Sequence, residues 1–159
     1  MRTLRRTIPL AAALSAVALL GASGRPVAWD QPGLARCHGP PVGGEATAVI
    51  GSEGGSLHLR PAGHSLDVPP GAVQAPTAFR LAEVVQEGYV VVDAEGGGYF
   101  NPRVVLSLNV RRCGGPASRV ARLHPDGTIQ VLEGVVRGAG PARIVSVELE
   151  HLSRYAVAE

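Results

Sequence analysis

From Glu45 onward the chain alternates apolar and polar positions in short runs, each closed by a turn signal. SLHLR puts Leu57 and Leu59 on one face, and HSLDV does the same with Leu66 and Val68. Alternation with period two marks a half-buried β-strand. TAFRLAEVV keeps Phe79 and Leu81 in phase, and VVLSLNV aligns Val104, Leu106, Leu108 and Val110, the cleanest strand in the chain. YVVVDAEGG is instead a continuous apolar run, which suits a strand covered on both faces. ATAVIG opens the series, and ARIVSVELE and SRYAVAE close it. Between them lie Pro69-Pro70-Gly71, where Pro70 sets φ and Gly71 takes the positive φ of a type II turn. Pro125-Asp126-Gly127 separates RLH from TIQVLEG as a hairpin does. These runs predict an all-β fold, an antiparallel sandwich or barrel of about nine short strands. With 21 glycines and 13 prolines in 159 residues, no helix of more than two turns is expected after the N-terminal segment.

The first 44 residues follow a different pattern. Arg2, Arg5 and Arg6 precede an uncharged run of 13 residues, Ile8 to Leu20. A membrane-spanning helix needs about 20 residues, so this run is too short, and with Ala22-Ser23-Gly24 behind it the segment reads as a signal peptide. Cleavage is expected after Gly24, leaving no stable membrane span. Residues 25–44, RPVAWDQPGLARCHGPPVGG, show no apolar period and read as a Pro/Gly-rich arm or linker carrying the single tryptophan, Trp29. The domain proper is then 45–159. Loss of the signal also changes the charge. The 15 basic residues are all arginine, and 12 of them remain against 13 acidic ones. No basic stripe with interleaved aromatics is left, so nucleic acid is not an indicated partner.

An exported chain with two cysteines, Cys37 and Cys113, is expected to join them in a disulfide. That bond would pin the arm to the domain.

Chemistry is sparse. His58 and His64 fall on different predicted strands with no acid or thiol cluster at ligand spacing, so they read as surface or edge-strand histidines rather than metal ligands. Asp93, Glu95 and the glycines 96–98 lack the alternation of a calcium loop. No G-x-S-x-G is present, and the glycine-rich pieces precede no helix that could seat a phosphate. No cofactor and no metal are expected. What remains is His151-Leu152-Ser153. Val145, Val147 and Leu149 share a face, and unbroken alternation would then bury His151 and Ser153 while exposing Leu152, so a bulge or kink is expected at the triplet. On a regular strand residues two apart are separated by about 6.6 Å, too far for a His–Ser hydrogen bond. A bend could close that gap. His151 would then take the Ser153 proton, and the hydroxyl would attack the Leu152 carbonyl in an N-to-O acyl shift.

GSEGGSLHLRPAGHSLDVPPGAV, YFNPRVVLSLNV and VELEHLSRYAVAE, in that order, resemble the ZU-five domain of zonula occludens proteins, netrin receptors and ankyrins. The likeness runs from about Ala46 to Glu159. The resemblance implies a β-sandwich serving protein interaction or a structural role. It also implies that some relatives cut themselves at a related triplet, which here would make His151 the base, Leu152 the acyl donor and Ser153 the nucleophile. Two readings follow. One is a secreted, extracellular or periplasmic, non-enzymatic module with an exported or surface protein as partner. The other is a self-processing domain cutting its own Leu152–Ser153 bond.

Overall fold

The computed structural model describes residues 33–159, and the signal segment and Trp29 lie outside the described residues. Eleven strands form two antiparallel sheets. They are β1 (Glu45–Ile50), β2 (Gly55–Leu59), β3 (His64–Val68), β4 (Thr77–Val84), β5 (Val91–Glu95) and β6 (Val104–Asn109), then β7 (Arg119–Leu123), β8 (Ile129–Leu132), β9 (Val135–Arg137), β10 (Ile144–Leu149) and β11 (Arg154–Ala158). One sheet has six strands in the order β1-β4-β5-β11-β7-β8, the other five in the order β2-β3-β6-β10-β9. The fold is an all-β sandwich. Among the described residues no helix is long and apolar enough to cross a membrane.

The expected phases hold. Leu57, Leu59, Leu66, Val68, Phe79, Leu81, Val104, Leu106 and Leu108 are all buried between the sheets. Strand β5 is covered on both faces as its apolar run requires: Val92 and Ala94 face the main core, and Val91 faces a second, smaller one. Gly71 has φ of +81°, and the Ala72 N–H donates to the Pro69 carbonyl at 3.1 Å, closing the expected turn. Strands β7 and β8 form the expected hairpin, with Leu123 opposite Ile129.

Eleven strands stand where about nine were expected. Strand β9 had no counterpart in the sequence reading, whose TIQVLEG run ended at Gly134. Pairing breaks at Glu133-Gly134, where the chain leaves the six-stranded sheet and enters the five-stranded one. The same change of sheet occurs between β1 and β2, at a turn that only glycine can make. A Cβ on Gly54 (φ +78°) would lie 2.6 Å from the Val68 carbonyl oxygen, inside any tolerable contact.

Cys37 and Cys113 are joined, with an S–S distance of 2.08 Å, as expected. Residues 33–44 are held down along their length. The Ala35 N–H donates to Val157 O, Cys37 N–H to Gly88 O and His38 N–H to Arg112 O. Leu34 and Ala35 go further than a pinned arm and are themselves buried. Leu34 joins Tyr89, Val91, Ala121, Leu123, Ala156 and Ala158 in the second core, on the outer face of the six-stranded sheet. The disulfide fits an oxidising environment.

Candidate functional site

Val145, Val147 and Leu149 of β10 point into the core, and the strand ends at Leu149. The next strand, β11, belongs to the other sheet. The expected break at the triplet is therefore a corner at which the chain crosses the sandwich, and the odd-numbered positions face the main core on both sides of it. Tyr155, Ala156, Val157 and Ala158 are all buried, Tyr155 and Val157 in the main core, Ala156 and Ala158 in the second.

Three carbonyls of the corner are bonded. Glu150 O accepts the Phe100 N–H at 2.9 Å, Ser153 O accepts the Ala94 N–H at 2.9 Å, and His151 O accepts the Tyr155 hydroxyl at 2.7 Å. Burial raises the Tyr155 phenol above its ordinary pKa, with Arg122 opposing as the smaller effect, so the hydroxyl stays protonated and donates. Leu152 packs partly against the main core. The His151 ring is exposed and meets Tyr99 edge-on, ring centres 5.3 Å apart. Among the described residues no hydrogen bond joins His151 to Ser153.

The corner forms one wall of an open cleft of about 670 Å³, which His124, Asp93, Glu95 and the Gly96 to Gly98 loop complete. Both carboxylates in it are engaged. Arg154 binds the two oxygens of Asp93 at 2.5 and 2.9 Å and has its own pKa raised by that bond, and Arg80 binds Glu95 at 2.7 Å. His58 is exposed on the edge strand β2 as expected, but His64 is neither at the surface nor on an edge: it is buried on β3, opposite Leu59, because its position falls on the inward face of that strand. Among the described residues no group of three His, Cys, Asp or Glu side chains is placed to hold a metal ion.

The sequence reading missed a buried charged cluster. Glu83 on β4 and His64 on β3 come from opposite sheets, and both side chains are shut off from solvent. Arg112, from the segment after β6, ion-pairs with Glu83 Oε1, and His64 Nε2 lies 3.5 Å from Glu83 Oε2. The Asn109 N–H donates to His64 Nδ1 at 3.0 Å. That nitrogen is therefore the bare one, and the imidazole directs its proton at Glu83. Arg112 also donates to Pro40 O at 2.7 Å, so residues 33–44 roof the cluster. Burial alone would raise the Glu83 carboxyl, but His64 and Arg112 outweigh it and hold the pKa below its ordinary value. The signal was in the phase: Glu83 continues the Phe79, Leu81 series, and His64 begins the Leu66, Val68 series.

No protein-family model matches the chain, and no curated protein is similar to it at a significant level.

Proposed function

We propose that this chain is an exported, non-enzymatic β-sandwich of ZU-five-like type, serving protein interaction or a structural role at the cell exterior. The observation that carries this reading is how the corner at His151-Leu152-Ser153 is used. The carbonyls of His151 and Ser153 are taken up by the Tyr155 hydroxyl and the Ala94 N–H, and the His151 imidazole meets Tyr99 with no hydrogen bond to the Ser153 hydroxyl. Self-processing would need that ring to leave Tyr99 and reach Ser153, within about 3 Å of its oxygen. No non-glycine residue among those described has a positive φ, so no residue of the corner is held in the left-handed region. Of the three stretches that resemble the ZU-five family, the first holds the β1–β2 corner and the turn after β3, the second leads into and forms β6, and the third holds the crossing into β11. The disulfide supports an oxidising destination.

The test is the denatured, non-reduced mass of the protein secreted by its host. Denaturation matters, because a piece beginning at Ser153 would stay paired between β5 and β7 in the native fold. A single chain from Arg25 to Glu159, two hydrogens light, is the expected result. A chain ending at Leu152, absent in Ser153→Ala, would overturn the proposal in favour of self-processing.

A further inference from the structure

We propose that the outer face of the five-stranded sheet binds an acidic glycan, with Arg60 and His58 holding its acid group and a row of serine hydroxyls holding its sugar hydroxyls. Leu57, Leu66, Leu106 and Val145 point into the core, so the residues alternating with them on β2, β3, β6 and β10 face out. Pairing sets His58 opposite Ser65, Ser65 opposite Ser107, Ser107 opposite Ser146, and Ser146 opposite Val135. One row thus crosses all five strands, spanning about 19 Å at about 4.8 Å per strand.

The row offers hydrogen-bonding groups to a ligand. Ser107 and Ser146 share a 2.8 Å hydrogen bond in which either hydroxyl can donate. Each hydroxyl carries one proton, so whichever donates, the other keeps its own. Among the described residues the side chains of His58, Arg60 and Ser65 have no hydrogen-bond or ion-pair partner. Together with Ser107 and Ile144 they line an open cleft of about 450 Å³.

Charge on this face has a direction. Arg80, Arg103, Arg112, Arg119 and Arg154 are each ion-paired with a carboxylate, whereas among the described residues Arg60, Arg111 and Arg137 are not. Strands β2 and β9 run one way and β3 and β10 the other. Arg60 and Arg137, two residues after His58 and Val135, therefore lie on one side of the serine row, and Arg111 donates to Pro61 O at 3.3 Å, beside Arg60. Asp67 and Glu148, two residues after Ser65 and Ser146, lie on the other side. An anionic group is attracted to the Arg60 side and repelled from the opposite one, and the planar guanidinium suits a carboxylate or a sulfate. None of the five strands carries Phe, Tyr or Trp, so the face offers no platform on which nucleic-acid bases stack. Between its cations it presents hydroxyls rather than the apolar centre of a protein interface. A hydroxyl-rich chain bearing acid groups matches both features.

Isothermal titration calorimetry of the disulfide-intact protein with polygalacturonate, dextran sulfate, neutral dextran and single-stranded oligothymidine tests this. At least one of the two acidic glycans is expected to bind, more weakly at high salt, and neutral dextran is not. Arg60→Glu, at an exposed position, should weaken that binding at least about tenfold, and Asp67→Asn should tighten it. Ser146→Ala should weaken it with the salt dependence unchanged, since it removes a hydrogen bond and no charge. Circular dichroism melts establish that each variant is folded, and Arg60→Glu decides alone should the other two fail to fold. Failure of both acidic glycans to bind overturns the proposal. So does binding indifferent to Arg60→Glu, or oligothymidine binding as tight as that of the glycans, which would reduce the face to a general attractor of polyanions.

Discussion

The hydroxyl of Tyr155 donates a 2.7 Å hydrogen bond to the carbonyl oxygen of His151, four residues back, across the corner where the chain passes from one sheet to the other. It closes the corner from the far side and ties the first buried ring of β11 to the last turn out of β10. Tyr155→Phe keeps the ring in the core and leaves that carbonyl without its donor. The variant should lose about 1–2 kcal/mol of unfolding free energy without change of fold, read from urea melts with circular dichroism.

The position of β11 makes the last residues indispensable. The strand lies between β5 and β7 in the middle of the six-stranded sheet, with Tyr155 and Val157 in one core and Ala156 and Ala158 in the other. A chain stopped after Leu152 should therefore not fold, because both neighbours lose a ladder and both cores lose a wall. Its circular dichroism should lack a cooperative melt. A synthetic peptide of residues 153–159, added in excess, should restore one.

The disulfide closes a sequence separation of 76 residues. The chain-entropy argument gives about 4–5 kcal/mol for a loop of that size. Replacing Cys37 and Cys113 together by alanine should lower stability by that order. It should also speed proteolysis within residues 33–44 before the rest of the domain opens. Limited digestion of the variant, followed by mass spectrometry, checks both the site and the order.

The Glu83 carboxyl, held below its ordinary value of 4.5 by His64 and Arg112 against the opposing effect of burial, makes folding depend on pH. A carboxyl with a depressed folded pKa binds its proton more readily in the unfolded chain. Its contribution is therefore complete above the unfolded pKa and disappears as the pH falls through the folded one. Glu83→Gln should destabilise the protein by about 3–5 kcal/mol at neutral pH, since it leaves the buried side of Arg112 unpaired. It should also flatten the acid limb of the stability profile. Urea midpoints of wild type and variant, taken from neutral pH down through the carboxylate range, should converge at the acid end.

Much was legible in the chain itself, and each case shares one cause. Period-two alternation reports which face of a strand is apolar, so Val104, Leu106 and Leu108 could be assigned inward without a fold in hand. The turn at Pro70-Gly71 depends on two residues whose backbone preferences are local. The break at His151-Leu152-Ser153 was legible because unbroken alternation would have buried two polar side chains and exposed a leucine. Even Glu83 and His64 carried their signal in phase, as polar residues in apolar series. That signal bears only on burial, and it stood against the surface reading of His64; nothing in the sequence says that the two residues meet.

Alternation is silent about neighbours. That β11 slots between β5 and β7, that β9 is a strand of its own in the other sheet, and that Leu34 covers a second core were decided only by pairing over long separations. Whether His151 could serve Ser153 was decided the same way. Two residues apart in sequence, they are kept apart by what each side chain and carbonyl finds elsewhere: Tyr99 for the imidazole, the Ala94 N–H for the Ser153 carbonyl, Tyr155 for the carbonyl of His151. Local chemistry determined most strands and the turns, and the presence of only two cysteines in the sequence determined their pairing. Tertiary structure determined which strand lies beside which, because every such choice is made between groups far apart along the chain and is stable only when both faces of the sandwich close together.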